Sequence, residues 1–121
     1  MDRFFFTTGA IMAFLAVGLG AFGAHALKNR LTADMLDIFE VGVRYHMYHA
    51  LGLFAVAWAS SHWPESNVKA AGWAFIIGIV IFSGSLYVLS IFGLRWLGAV
   101  TPIGGLAFLL GWAILVWSVA R

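Results

Sequence analysis

Long apolar runs separated by brief polar interruptions set the pattern of this chain. Four runs, at residues 4–26, 41–63, 70–92 and 98–119, reach the roughly 20 helical residues that cross a hydrocarbon core of about 30 Å. The interruptions are residues 27–40, which hold most of the acidic side chains, a turn on Pro64-Glu65-Ser66-Asn67, and the short link Gly93-Leu94-Arg95-Trp96-Leu97. Links this short make successive helices antiparallel. The pattern therefore predicts an all-α, integral-membrane four-helix antiparallel bundle, a single transmembrane domain over 1–121 with both ends on one side.

The first interruption carries a helix signal of its own. Thr32 suits an N-cap, Asp34 lies where the helix dipole favours an anion, and Leu31, Met35, Ile38 and Phe39 form an apolar stripe. Residues 32–40 are expected to form a short amphipathic interfacial helix between helices one and two. An unbroken helix from Thr32 to Trp63 would instead reach roughly 48 Å, and a bend near Gly42 or a protruding end would have to absorb the excess. Thr101-Pro102 reads as another helix start, with Thr101 capping.

Composition narrows the class further. With 63% hydrophobic and 10% charged residues in 121 positions, the surplus apolar surface has to face lipid. The absence of cysteine excludes disulfides, thiolate metal sites and cysteine nucleophiles. A net charge of +2, without a basic stripe, argues against a nucleic-acid partner. Ala24-His25-Ala26 mimics a signal-peptidase site, but the apolar run before it exceeds a usual signal core, so the segment is expected to be a retained transmembrane helix. Arg3, Lys69 and Arg121 on one side balance Lys28, Arg30 and Arg95 on the other, which leaves orientation open.

Gly18-Leu19-Gly20-Ala21-Phe22-Gly23 matches a dinucleotide fingerprint in letters only, since the flanking strand that motif needs is missing. Close packing explains it better. Gly9, Ala13, Gly20 and Ala24 on the first segment, Gly84 on the third, and Gly104, Gly105 and Gly111 on the fourth are candidate small-residue contacts between helices.

The run Arg44-Tyr45-His46-Met47-Tyr48-His49 is the chief polar feature, and ionisable groups persist in membrane segments only with partners, water or a task. On a helical wheel Asp37, Glu40, Arg44 and Tyr48 share one face, whereas Tyr45, His46 and His49 occupy another. Glu40 and Arg44, at i, i+4 in the acid-first order, suit an ion pair at the membrane boundary. Antiparallel topology puts His25, Arg44, His46, His49, Tyr87, Arg95 and Thr101 in one leaflet, as a hydrogen-bond network or a small cavity. A metal would need more ligands than His46 and His49, and two haem ligands cannot come from one helix face. Ser83, Ser85 and Ser90 belong to no nucleophile motif. No catalytic residue, metal or cofactor is expected.

Four ordered motifs carry a resemblance: Gly20-Ala21-Phe22-Gly23-Ala24-His25-Ala26-Leu27; the stretch from Gly42 to Leu53 around Arg44-Tyr45-His46; Phe82-Ser83-Gly84-Ser85-Leu86-Tyr87; and Thr101-Pro102-Ile103-Gly104-Gly105. Together they resemble the family of small membrane proteins typified by YgdD and transmembrane protein 256, the family of domain of unknown function 423. The resemblance implies a four-helix multi-pass protein of the bacterial plasma (inner) membrane and supplies no catalytic assignment. The expected role is non-enzymatic, as a membrane stabiliser, scaffold or partner-binding subunit among lipids, with a homo-oligomer or a membrane-protein partner. The alternative is a conduit or binding site for a proton, ion or small molecule.

Overall fold

A computed structural model describes residues 2–120 of the chain as helices joined by short turns, without a strand among them. Four helical rods follow one another. The first is α1 (Arg3–Phe22), which runs into a π-helical turn (Gly23–Leu27), and the second is α2 (Ala33–His62). The third joins α3 (Val68–Gly78), a π-helical turn (Ile79–Ser83) and α4 (Gly84–Phe92). The fourth is a 3₁₀ turn (Arg95–Ala99) leading into α5 (Thr101–Ala120). Arg121, counted above among the terminal-side cations, lies outside the described residues.

Local chemistry starts and stops these rods. The Asp2 carboxylate accepts hydrogen bonds from the backbone N–H groups of Phe4 (3.0 Å) and Phe5 (3.3 Å), and Thr32 Oγ1 accepts from Met35 N–H at 3.2 Å. Each satisfies donors that a helix start leaves open. Gly93, at φ 69°, closes α4 in the left-handed conformation that glycine adopts without strain.

Two expectations change. The separate interfacial helix over 32–40 is absent as such: those residues form the first turns of α2, a continuous helix of 30 residues. The helix runs unbroken through Gly42, where the ring of Tyr87 packs on the glycine and a side chain would stand 2.9 Å from Tyr87 Cε1. Thr101 is not a cap either. The 3₁₀ turn feeds almost directly into α5, and the Thr101 hydroxyl donates to the Leu97 carbonyl at 3.1 Å.

Three rods, Arg3–Leu27, Val68–Phe92 and Arg95–Ala120, are long and apolar enough to cross a membrane. The α2 rod is too polar to meet that standard by composition, and it is also the rod that packs on all the others. His46 and His49 lie on its inner face, and Ala50, Leu53, Val56 and Ala57 complete that face.

Large rings seated on glycines hold the rods together. Phe75 fills a slot made by Gly52 of α2 and Gly111 of α5, Phe39 of α2 covers Gly23, Phe5 of α1 covers Gly72, and Phe108 of α5 covers Gly78, while Gly104 lets the backbone of Phe82 itself approach. In lipid the hydrophobic effect does not drive helices together, so association depends on close packing and interhelical hydrogen bonds. A ring against a bare backbone maximises that contact. Phe5, Leu53, Val56, Ala57, Ala71, Phe75, Ile79 and Phe108 form the resulting core.

Candidate functional site

The continuous α2 helix turns His46 and His49 inward, and each is 4% exposed. His46 Nδ1 hydrogen-bonds the Tyr87 hydroxyl of α4 at 2.8 Å. Beside this pair, Ser83 Oγ donates to the Gly42 carbonyl at 2.7 Å, so the third rod is fastened to α2 twice within two turns. The π-helical turn at Ile79–Ser83 ends on that serine. Its extra residue resets the register between α3 and α4, so that Phe75 reaches one face of α2 while Ser83 and Tyr87 reach the Gly42–His46 stretch. His46 Nε2 is buried and has no hydrogen-bond partner among the described residues.

The geometry fixes the tautomer of His49. Its Nδ1 lies 2.8 Å from the Tyr45 carbonyl, which only accepts, so Nδ1 carries the proton. Its Nε2 then has a free lone pair, which accepts from the indole N–H of Trp112 on α5 at 3.0 Å. Both ring nitrogens are used in the neutral form. The ring also stacks on Phe108, with centroids 3.6 Å apart and planes 7° off parallel. Completing the set, Ser85 and Thr101 share a 2.6 Å hydrogen bond between α4 and α5.

Of the residues expected to meet in one leaflet, the structure joins His46 with Tyr87, His49 with Trp112 and Tyr45, and Thr101 with Ser85. His25, Arg44 and Arg95 are exposed and stand apart from this network, as does Glu40. Glu40 and Arg44 do not form the anticipated ion pair; among the described residues the ion pair is Lys69 with Asp2 at 3.4 Å. Both Glu40 and Arg44 are exposed, where such a pair gains little over hydration. Tyr45 and Tyr48 are 39% and 53% exposed and line an apolar groove of about 460 Å³ between α2 and α5, with His49, Phe82, Phe108 and Trp112.

The small-residue candidates divide as well. Gly9 lies beneath the Ala50 carbonyl and Gly20 against Val43, while Gly104 and Gly111 receive Phe82 and Phe75. Gly105 is in loose contact with Phe82, 3.9 Å away, and Ala13 is half-buried. Gly84 meets nothing within 4 Å and Ala24 is exposed, so neither is a point of close approach.

Sequence reasoning missed Trp112 as a partner of His49. The available signal was the stripe Thr101, Gly104, Phe108, Gly111 and Trp112, one helical face of α5. It also missed the cavities at the opposite end of the molecule, around Ser66, Asn67, Lys69 and Ser118. Among the described residues, no three His, Asp or Glu side chains gather as metal ligands.

Comparison with known proteins identifies relatives named as membrane proteins. Residues 19–105 match the family described as "Protein of unknown function (DUF423)". The chain is 50% identical to the UPF0382 membrane protein YwdK of Bacillus subtilis over 120 residues, covering 98% of each chain. It is 48% identical to a UPF0382 membrane protein of Staphylococcus saprophyticus over 114 residues, 94% of each. A relative from Staphylococcus haemolyticus is 45% identical over 116 residues, 96% of this chain and 94% of its own. No solved structure matches the chain. The motifs that carried the resemblance fall largely within the matched region, and the chain belongs to the DUF423 family of membrane proteins.

Proposed function

We propose that this protein is a non-enzymatic, four-pass antiparallel bundle of the bacterial plasma membrane that serves the membrane as a stabilising or partner-binding subunit, and that its buried polar residues hold the bundle together. The carrying observation is where the imidazoles spend their hydrogen bonds. His46 bonds α4, His49 bonds α5, and Ser83 returns from the third rod to α2. A polar helix such as α2 is tolerated in lipid when its polar side chains are turned to neighbours. At 1.5 Å per residue α2 is about 45 Å long, so its acidic first turns project beyond a core of about 30 Å.

The test is a comparison of His46→Ala and His49→Ala with the parent chain in lipid nanodiscs and in proteoliposomes. The proposal expects lower unfolding midpoints for both variants and no proton or ion flux above empty vesicles for the parent. Flux that the parent supports and the variants lose would refute it.

A second reading, binding of a small apolar molecule, is favoured by the groove of about 460 Å³ beside His49, whose Tyr45 and Tyr48 walls are exposed. Its mark would be a ligand that co-purifies with the parent and is lost in Tyr48→Ala.

A further inference from the structure

We propose that the cavity between the start of α3 and the end of α5, at the opposite end from the histidine network, binds a phosphate group. The cavity measures about 680 Å³ and is lined by Ser66, Asn67, Lys69, Ala70, Ile114 and Ser118, among others. That volume falls within the range of about 300–1,000 Å³ typical of small-molecule sites. This site goes beyond the structural role argued above and shares none of its residues.

Three features point to an oxyanion. The first is the start of α3. No side chain caps it, since Asn67 makes no capping hydrogen bond, whereas Asp2 and Thr32 cap α1 and α2. Helix starts leave N–H donors open at the positive end of the macrodipole, and here the rod continues for 25 residues, Val68–Phe92.

The second feature is Ser118. It is 7% exposed, it lines both this cavity and the adjoining one, and its Oγ has no hydrogen-bond partner among the described residues. A helical serine ordinarily bonds back to a carbonyl one turn earlier. Ser60 and Ser90 both do so in this chain, to Ala57 and Tyr87. Among the described residues Ser118 makes neither such a bond nor a cross-helix one like that of Ser83 to Gly42, and its buried hydroxyl lines a cavity.

The third feature is charge. Lys69 lines the cavity and no carboxylate does among the described residues. Its ammonium also touches Asp2, 3.4 Å away, and the side chain is 66% exposed. Asp2 is itself engaged by two backbone N–H groups of α1. Glu65 lines the neighbouring cavity rather than this one.

The phosphate could belong to a phospholipid or arrive as the free ion. Exposed Trp63, Trp73 and Trp117 ring this end, as side chains at headgroup level do, and Ala113 and Ile114 continue the cavity wall along α5.

The experiment uses the full chain in a phosphate-free maltoside, titrated with dioleoylphosphatidylglycerol, dioleoylglycerol or inorganic phosphate and read by native mass spectrometry and calorimetry. A phosphate-bearing probe should bind and dioleoylglycerol should not. Ser118→Ala should weaken binding about ten-fold (~1.4 kcal/mol). Ala113→Phe, at an exposed position on the cavity wall, should abolish it. If inorganic phosphate binds with the same dependence on Ser118, the ligand is the free anion; if only the phospholipid binds, it is the headgroup. Equal binding of dioleoylglycerol, no binding of either phosphate probe, or binding unchanged by Ala113→Phe would overturn the proposal. The last result decides the matter even if Ser118→Ala fails to fold.

Discussion

Replacing Tyr87 with phenylalanine removes one oxygen and leaves the ring on Gly42 and against Phe39, 5.1 Å between centroids. The lost group is the partner of His46 Nδ1 at 2.8 Å. Interhelical hydrogen bonds in membranes average about 0.6 kcal/mol and reach about 1.7. A buried group left unpaired costs about 1–3 kcal/mol. His46 Nε2 already lacks a partner, so after the substitution neither ring nitrogen would have one. The orphaning cost therefore adds to the lost bond, and the upper part of the membrane range applies. Tyr87→Phe should destabilise the fold by about 1.4 kcal/mol, tenfold in the folded-to-unfolded ratio. The assay is reversible unfolding in mixed micelles, run as a double-mutant cycle with His46→Leu. A coupling of about 1 kcal/mol is expected, within the usual span for contacting residues. A variant within about 0.3 kcal/mol of the parent, or zero coupling, would refute the reasoning.

Glycine positions give a contrast. Gly104→Leu should abolish the folded state, because its Cβ would collide with the Phe82 backbone, whereas Gly84→Ala, with nothing within 4 Å, should stabilise by about 0.5–1 kcal/mol; circular-dichroism melts measure both. Trp112→Phe keeps an aromatic beside Phe75 but removes the donor to His49, and should lower stability by about 0.6–1.7 kcal/mol in the same unfolding assay. Thr32→Ala removes the α2 cap and should cost about 1 kcal/mol, seen first as faster amide exchange at Met35.

Much of the architecture was legible because apolar runs of transmembrane length are a strong, local signal. The hidden parts depend on contacts distant in sequence. Gly42 read as a place for a bend, and the ring of Tyr87, 45 positions on, makes it a packing position. Nothing local marks the π-helical turns, since each is a one-residue shift in register. Sharing a leaflet did not bring His25, Arg44 and Arg95 to the histidines; helix face decided, and these three lie on outer faces. The wheel did separate Arg44 from His46 and His49, and that separation is the one the structure has. Trp112 stayed hidden because a tryptophan near the end of a membrane helix has an ordinary explanation, and only its phase relative to Phe108 and Thr101 brings its indole N–H to His49, with the ring itself still 41% exposed.

The most direct test of the central claim is nuclear magnetic resonance of the Trp112 indole and the His49 ring in lipid nanodiscs. Dry interhelical ties predict an indole proton protected from exchange, with His49 protonated at Nδ1 and accepting at Nε2. An indole that exchanges rapidly with bulk water, beside a His49 ring that samples both tautomers, would contradict the account and make the cluster a hydrated site.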